Sequence, residues 1–228
     1  MKVNKKAILN ISLTIVFILM TMIFCLSSAI LVPAMFRPFY YMQINPLGIP
    51  KASGYSYGEI KEAFDDVLDF IWLHKEFKTG VLAYSESGKA HFADCVPLFW
   101  LDLILCIVSF ISLFTLYLLN KFRVIELRKF NSFHPLFYSG IVLLTLILVF
   151  IVWALIDFDS LFKVFHHVFF PGKSNWEFDP NKDEIILILP IEFFISCAAF
   201  IGVDVIFYTG SGIAYSIINK TRTKKAIN

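Results

Sequence analysis

Cysteine is scarce in this sequence, and the signature motifs of the common nucleotide and zinc enzymes are missing. The four cysteines lie far apart without a Cys-x-x-Cys pair, and three of them fall inside apolar runs. We interpret them as small apolar packing residues, because disulfide frameworks and zinc sites need closely spaced ligands. No P-loop, Gly-x-Gly-x-x-Gly or His-Glu-x-x-His sequence occurs. We therefore expect no cofactor and no bound metal.

Four long apolar runs account for most of what the sequence does contain. Hydrophobic residues make up 58% of the chain, well above the usual share for a soluble domain. Each run reaches or exceeds the ~20 residues that an α-helix needs to cross the hydrocarbon core of a bilayer. The runs cover residues 7–32, 96–119, 136–156 and 185–218. The fourth is too long for one straight span, so we expect a kink or an interfacial step at Pro190.

The polar segments around these runs differ in charge. Cytoplasmic flanks and short loops of membrane proteins collect Lys and Arg. The two terminal segments and the segment between the second and third runs contain a single acid, Glu126, beside many bases: Lys2, Lys5, Lys6, Lys121, Arg123, Arg128, Lys129, Lys220, Arg222, Lys224 and Lys225. The other two segments hold nine bases against fourteen acids, so we place them on the outer face and both termini in the cytoplasm. This asymmetry indicates a membrane orientation signal rather than a nucleic-acid-binding surface.

Together these patterns predict an all-α membrane protein, a four-transmembrane-helix bundle with a small extracytoplasmic cap from two outer loops. Residues 1–32 hold the cytoplasmic N-terminus and first span, and 33–95 the first outer segment. Residues 96–157 hold the second span, a cytoplasmic loop and the third span; 158–184 form the second outer segment, and 185–228 the fourth span and cytoplasmic C-terminus. A cleaved signal peptide is the competing interpretation of the N-terminus, but its apolar region would normally be only ~7–15 residues long.

The first outer segment is long enough to form a small cap. Ser56 and Glu59 have the spacing of a capping box, and the apolar residues of 60–71 then recur on one helical face. Residues 45–55 are rich in Pro and Gly and are expected to be irregular. Residues 79–85 fit either a strand or a loop.

The second outer segment begins with an apolar stripe at helical spacing over residues 158–169, which predicts a short amphipathic helix in the membrane interface. Asp157 is a plausible cap for this helix, and Pro171 follows its end. His166 lies at the edge of the apolar stripe, whereas His167 lies on the wetter side. The two adjacent histidines are therefore not equivalent.

His91 precedes the second run by a few residues, and His166 follows the third run by about three helical turns. Both should lie at headgroup depth, where they can meet if the spans pack together. An imidazole has an ordinary pKa of ~6.5, so it can take and return a proton near neutral pH. Taken alone, interfacial histidines are more often amphipathic packing residues than catalysts.

Two stretches resemble outer-face motifs of the bacterial lipoprotein intramolecular transacylase family (Lit). The first is "YSESGKAHFADC" at 84–95; the second is "FHHVFFPGKSNWEFDP" at 165–180, followed by "LILPIEFF" at 187–194. The resemblance extends to "FYYMQINPLGIP" after the first span and covers nearly the whole chain. This chain departs from the family pattern after Asp94, where Val and Lys are typical but Cys95 and Val96 stand here. It also has Ser87-Gly88 where Glu or Arg is common.

The resemblance implies that an acyl chain moves within one lipidated protein. The sn-2 acyl group of a diacylglyceryl-cysteine lipoprotein would pass to the α-amino group of the same N-terminal cysteine, giving a lyso-form lipoprotein. This conversion of an ester into an amide is downhill and needs no ATP, nicotinamide or metal. It implies a multi-pass protein of the bacterial cell membrane with its active site on the outer face. The expected partners are a diacylated bacterial lipoprotein and membrane lipids, without nucleic acid or an obligate protein partner.

The resemblance also implies that His91 and His166 match the two essential histidines of the family. We assign His91 as the base and His166 as the group that donates a proton or orients the oxyanion, although the sequence does not fix which is which. No Ser or Cys lies in a recognisable nucleophile elbow, so we favour direct transfer over an acyl-enzyme.

Several further residues are candidates for supporting or substrate-binding roles. Glu86 and Asp94 could hold the His91 imidazole in one tautomer, or could simply be solvated. Trp176 and Asp179 match the second motif, yet could only anchor the loop at the interface. Tyr84 could touch substrate or belong to the aromatic belt.

Three acids lie inside apolar runs, where an ionisable group usually faces a bundle interior or a cavity. Asp102 and Glu192 lie near the outer ends of their spans, where they could line a polar pocket beneath the histidines. We interpret the deeper Asp204 as a packing residue that is protonated or hydrogen-bonded.

Two other functions fit a four-span layout. A non-enzymatic adhesion or scaffold protein usually has disulfides in its outer loops, and here the only loop cysteine is Cys95 at the membrane edge. A small-solute or proton-coupled transporter should show inverted repeats or broken helices in corresponding positions. The sequence shows neither feature.

Overall fold

The computed structural model describes residues 5–225, with side chains for 5–221. The charge pattern at Lys2 and at the side chains of Arg222, Lys224 and Lys225 lies outside these described residues. The described part is helical and has no β-strand, which confirms the all-α prediction. Its helices are α1 (Lys5–Met35), α2 (Arg37–Ile44), α3 (Ile49–Ser53), α4 (Tyr57–Leu73), α5 (Glu86–Lys121), α6 (Pro135–Ile156), α7 (Phe158–Phe169), α8 (Ile185–Ile188) and α9 (Ile191–Lys225).

Four of these helices, α1, α5, α6 and α9, are long and apolar enough to cross a membrane. Many of their large apolar side chains remain exposed, including Ile111 at 57% and Phe150 at 49%. In water such continuous apolar surface would drive aggregation, whereas in a bilayer the acyl chains cover it. The prediction of four membrane spans is therefore confirmed.

The fourth apolar run divides at Pro190, as its length predicted. Residues Ile185–Ile188 form the short helix α8, and the spanning helix α9 begins only at Ile191. Proline has no N–H to donate and disfavours a helical conformation in the residue before it. Leu189 accordingly takes a non-helical conformation with φ −116° and ψ 66°.

The helix predicted in the first outer segment is confirmed as α4. Ser56 Oγ accepts from the Glu59 N–H at 3.3 Å, and Glu59 Oε2 accepts from the Ser56 N–H at 2.8 Å, so both halves of the capping box are made. The prediction that residues 45–55 are irregular holds for 45–48 and 54–55 but is wrong for Ile49–Ser53, which form α3 between two glycines with positive φ. Residues 79–85 form a loop.

The chain divides into two compact units. One contains residues up to 29, residues 103–152 and residues from 201 onward. Its core joins α1, α6 and α9 through Cys25, Ala29, Leu143 and Val205. The burial of Cys25 supports the interpretation of this cysteine as a packing residue.

The other unit contains Ile30–Asp102 and Trp153–Phe200, and it holds both outer segments. Its core packs one face of α4 against α2 and α8. The Tyr40 ring stacks on Phe64 with ring centroids 3.9 Å apart, and its hydroxyl donates to the Ile188 carbonyl at 2.6 Å. The apolar residues of α8 therefore stabilise the outer segments rather than lengthening the fourth span.

Candidate active site

His91 lies in the second turn of α5, whose N-terminus is held by an acid of the other outer segment. Ser85 Oγ accepts from the Gly88 N–H at 3.0 Å, which caps the helix. The carboxylate of Asp183 accepts from both the N–H and the hydroxyl of Ser85 at 2.8 Å, and this side chain is only 4% exposed. A negative charge is favourable at a helix N-terminus. Asp183 therefore fixes the start of the helix that carries His91.

Glu184, the residue after Asp183, also bonds the second outer segment to the chain just before α5. Glu184 Oε2 accepts from the Ala83 N–H at 2.6 Å, and the Glu184 N–H donates to the Ala83 carbonyl at 3.0 Å. Hydrogen bonds to this carboxylate, from the Ala83 backbone first and the Tyr55 hydroxyl second, hold the pKa of Glu184 below its usual range. Sequence reasoning missed both acids, because an Asp-Glu pair in a polar loop has no spacing that marks it as a partner.

We predict that Gly88→Ala destabilises this unit. A Cβ added at Gly88 would lie 2.2 Å from Asp183 Oδ1, so the buried carboxylate would have to leave its bonds to Ser85. Losing hydrogen bonds to a buried charged group costs on the order of 1–3 kcal/mol. Thermal unfolding of the purified protein in detergent should show a clearly lower midpoint.

Gly58→Ala is the matched control for this substitution. Gly58 lies in α4 and has open space around its Cβ position, where the nearest atom is Ser56 Oγ at 4.0 Å. Alanine is the better helix former by about 1 kcal/mol, so this variant should be unchanged or more stable. Equal unfolding midpoints for the two variants would contradict the proposed role of Asp183.

His166 lies on α7, which forms where the apolar stripe predicted a helix. Asp157 caps it by accepting from the Ser160 N–H at 2.9 Å. His166 is 8% exposed, whereas His167 is exposed, so the two histidines differ as the sequence predicted. His166 Nδ1 lies 2.7 Å from the carbonyl oxygen of Phe162, one turn earlier. Because a carbonyl oxygen can only accept, Nδ1 carries the proton and the lone pair of the neutral ring is on Nε2.

The structure brings the two predicted imidazoles together. The ring centroids of His91 and His166 are 5.9 Å apart, and His91 is only 6% exposed. One residue comes from α5 and the other from α7, within a single compact unit. A separation of this size allows both rings to act on the same small group of reacting atoms.

Aromatic rings enclose the pair, and three of them belong to the segment 170–178 that follows α7, which we call the 170–178 loop. Phe170 and Phe178 meet His91 edge-on with centroids 4.9 and 5.5 Å away. Trp176 stacks on His166 at 4.7 Å with an angle of 28° between the planes. The imidazoles are therefore held in an apolar environment that favours their neutral forms.

This environment changes the acid–base behaviour of His166. Burial lowers the pKa of His166 below its ordinary value of 6.5, and the hydrogen bond to the Phe162 carbonyl opposes that effect only partly. At neutral pH the ring is therefore uncharged and able to accept a proton.

Asp94 anchors the 170–178 loop to α5. Its two carboxylate oxygens accept from Lys173 Nζ at 2.5 Å and from Asn175 Nδ2 at 2.9 Å. The Trp176 indole N–H donates to the Lys173 carbonyl at 3.0 Å within the same loop. Asp94 therefore supports the aromatic cover of His166, a role that the sequence did not indicate.

Of the two alternatives left open for Glu86 and Asp94, the described contacts show no hydrogen bond from either acid to His91. Glu86 has an 87% exposed side chain and pairs loosely with Lys89. It precedes His91 by five residues, which places it on a different face of α5. Asp94 uses its oxygens on the loop. The contact of His91 Nε2 is with Cys95 Sγ, 3.6 Å away, and Nδ1 has no hydrogen-bond partner among the described residues.

Of the remaining candidate residues, Trp176 contacts the histidine pair by stacking on His166. Tyr84 is 41% exposed and packs edge-on against Phe77, whereas Asp179 accepts from the backbone and side chain of Asn181 in a turn. Glu192 is exposed in the first turn of α9, and Asp102 is partly buried in α5. Among the described residues, Tyr84, Asp179 and Glu192 make no hydrogen bond to either imidazole.

The described residues contain no group of three or more His, Cys, Asp or Glu side chains that could hold a metal ion. What the site offers instead is a pair of close, buried imidazoles. One presents an acceptor nitrogen, and the other has a nitrogen without a partner. Such a pair can move a proton to and from a reacting group without water.

Comparisons with known proteins identify the family and the fold of this chain. A family model described as the lipoprotein intramolecular transacylase Lit matches residues 15–194. No curated protein matches the chain. Among solved structures, that of the membrane-integral lipoprotein intramolecular transacylase Lit from Bacillus cereus superposes with a TM-score of 0.81 at 22% identity, over 95% of this chain and 97% of that chain.

Two variants of the same Bacillus cereus protein also share the fold. One has a histidine replaced by arginine and gives a TM-score of 0.75 at 20% identity, over 94% of this chain and 93% of that one. The other has a histidine replaced by alanine and gives 0.74 at 22% identity, over 95% and 94%. At these identities the likeness shows a common fold, and the family model supplies the family.

Proposed function

The chain belongs to the lipoprotein intramolecular transacylase Lit family, and from this premise we propose that His91 and His166 together move the protons of its acyl transfer. The protein is a membrane-integral acyltransferase that acts on lipoproteins. The observation that supports the histidine pair is the 5.9 Å separation of two buried imidazoles from different helices. Family membership also makes an adhesion protein or a transporter unnecessary as an explanation.

The transfer that we propose leaves every atom accounted for. The α-amino nitrogen of the lipidated cysteine attacks the carbonyl carbon of the sn-2 ester, and an amide bond forms. The bond from that carbon to the glyceryl oxygen breaks, and the proton lost by nitrogen ends on that oxygen. Donor and acceptor belong to one molecule, so the entropy of bringing them together is largely met by the substrate.

We assign the removal of the amine proton to His166. Its Nδ1–H donates to the Phe162 carbonyl, so Nε2 presents the lone pair, and burial keeps the ring neutral. A general base of this kind typically contributes about a hundredfold to ten-thousandfold to the rate. This is the reverse of the assignment from sequence, and the reason is the tautomer that the Phe162 carbonyl imposes.

We assign to His91 the stabilisation of the oxyanion that forms on the ester carbonyl oxygen. Its Nδ1 has no partner among the described residues, although it lies in an apolar surrounding where an unmet polar atom is costly. A proton on this nitrogen would donate a hydrogen bond to the developing oxyanion, while the proton that His166 takes from the amine passes to the glyceryl oxygen as the carbon–oxygen bond breaks. Hydrogen bonds to such an oxyanion are strong where water is excluded, and losing one typically costs a hundredfold or more in rate.

The reaction is proposed to take place on the outer face of the membrane, with both termini in the cytoplasm. The two segments that supply the histidines are those with more acids than bases, whereas Lys5, Lys6 and the bases of the α5–α6 connection mark the opposite side. Lipoprotein N-termini carrying diacylglyceryl groups would approach His91 and His166 at headgroup depth.

We expect the imidazole of His166 to titrate below pH 6.5. Burial disfavours its charged form, so protonation requires a more acidic solution than for a solvated histidine. As pH falls through the lowered pKa, the base is lost. The folded state loses stability over the range between pH 6.5 and that lowered pKa, because there the unfolded chain already binds the proton and the folded chain does not. Histidine ¹⁵N NMR of the protein in detergent, assigned with a His166→Gln variant, measures this midpoint. A midpoint at or above 6.5 would argue against the enclosed base.

Mass spectrometry of a reporter lipoprotein tests the function as a whole. The reporter would be expressed in cells without a transacylase of their own, with and without this protein. The wild-type protein should convert its diacylglyceryl N-terminus into an N-acylated, mono-acylglyceryl form of unchanged total mass, which fragmentation distinguishes. A reporter that keeps its free α-amino group despite good expression of this protein would refute the proposed transfer.

A further inference from the structure

Among the side chains that the structure describes, the thiol of Cys95 is the hydrogen-bond contact of the His91 ring. Cys95 Sγ lies 3.6 Å from His91 Nε2, within reach of a sulfur hydrogen bond. The two residues are four apart on α5, so the helix places both side chains on one face. Cys95 itself is partly buried.

We propose that Cys95 is a positioning residue that selects the tautomer of His91. This inference rests on the proposed role of His91 as the hydrogen-bond donor to the oxyanion. A thiol donates a weak hydrogen bond and is a poor acceptor, whereas a neutral imidazole nitrogen accepts well. The S–H group of Cys95 therefore donates to Nε2, and the ring proton is left on Nδ1.

The surroundings of His91 leave no stronger group to do this. Asp94, the adjacent acid on α5, uses both carboxylate oxygens on Lys173 and Asn175. Phe170 and Phe178 present ring edges and cannot fix a tautomer by hydrogen bonding. Without the thiol, Nε2 and Nδ1 would compete for the proton on nearly equal terms.

The consequence is a division of roles between the two rings. His166 has its Nδ1 proton bonded to a carbonyl and presents an acceptor nitrogen. His91 has its Nε2 occupied by the thiol and presents Nδ1–H, the atom without a partner. One ring therefore receives the amine proton and returns it to the glyceryl oxygen, while the other donates a hydrogen bond to the oxyanion that forms between these two steps.

Histidine ¹⁵N NMR tests this directly, because the protonated and unprotonated ring nitrogens have well-separated chemical shifts. The full-length protein would be labelled on histidine and measured in detergent at a pH where the rings are neutral. The wild type should show the proton of His91 on Nδ1. Cys95→Val, which keeps a similar volume without a donor, should move His91 toward a mixture of tautomers and lower kcat about threefold to tenfold.

Two control variants make the result specific. Cys95→Ser keeps a hydrogen-bond donor and should restore both the tautomer and the rate. Cys197→Val removes a thiol of α9 that, among the described residues, makes no hydrogen bond to either imidazole, and it should change neither. The His166 signal serves as an internal reference, since its tautomer is set by Phe162.

The inference is overturned if wild-type His91 carries its proton on Nε2, or if Cys95→Val leaves the tautomer unchanged. It is also overturned if hydroxylamine releases an acyl group from Cys95, which would make the thiol a nucleophile rather than a positioning residue. These outcomes leave the histidine pair intact as long as His91→Ala is inactive. An active His91→Ala variant would remove the proposed function as well.

Discussion

His166→Ala should lower the rate of acyl transfer by about a hundredfold to ten-thousandfold, the range expected for loss of a general base. A short backbone bond, 2.7 Å from Nδ1 to the Phe162 carbonyl, fixes the tautomer of this ring and leaves Nε2 as the acceptor nitrogen. Without it, the α-amino group must lose its proton to water in a site that apolar rings enclose. Quantitative mass spectrometry of the reporter N-terminus over time measures the rate.

His167→Ala is the matched control, because this neighbour has the same side chain but is exposed and meets Trp176 only edge-on, with ring centroids 5.5 Å apart. It should transfer at nearly the wild-type rate. A second control addresses packing, because His166→Ala also removes the imidazole on which Trp176 of the 170–178 loop stacks. His166→Phe keeps an aromatic ring against Trp176 and removes only the nitrogens, and it should be as slow as His166→Ala. Full activity in His166→Phe would contradict the role of this residue as the base.

His91→Ala should produce a loss of comparable size, at least a hundredfold, by removing the donor to the developing oxyanion. Here the chemistry depends on Nδ1, a buried polar atom without a partner among the described residues. A buried polar atom without a hydrogen-bond partner costs free energy in an apolar site. We therefore expect the substrate oxygen to be the hydrogen-bond partner of Nδ1. The same reporter assay under substrate saturation separates kcat from KM, and the loss should fall on kcat.

Lys89→Ala serves as the control for His91, since Lys89 lies two residues earlier on α5 with a 43% exposed side chain. Its loose pair with Glu86 is of the surface type that contributes little to stability. The variant should therefore fold and transfer normally. A Lys89→Ala variant as inactive as His91→Ala would show that the start of α5, rather than the imidazole, limits the reaction.

Local patterns in the sequence predicted the elements that carry the site. The capping box at Ser56 and the apolar spacing of α7 each describe one helix, and both helices form as expected. The different exposure of His166 and His167 followed from their positions on the α7 stripe, because a helix repeats every 3.6 residues. Such inferences need only neighbours along the chain.

Contacts between distant segments could not be predicted in this way. Asp183 lies 98 residues from Ser85, and Asp94 lies 79 residues from Lys173. Nothing in the spacing of either acid shows which segment it will meet. The spacing of four residues between His91 and Cys95 predicts their contact if both lie on one helix. The sequence, however, predicts that this span begins only at residue 96, whereas α5 begins at Glu86.

The length of α5 illustrates the same limit. The apolar run predicts a span from residue 96, whereas the helix begins at Glu86, because Ser85 and Asp183 together cap a polar turn ahead of the membrane. Hydropathy identifies where a helix is apolar and does not show where its hydrogen bonds begin. The geometry of His91 depends on this polar extension.

A double-mutant comparison of kcat tests most directly whether His91 and His166 act on one proton transfer as a unit. Residues that act as a unit give losses that do not multiply. We predict that a His91→Ala/His166→Ala double variant is about as slow as either single variant. A double variant slower by the product of the two single losses, or either single variant with wild-type kcat, would contradict it.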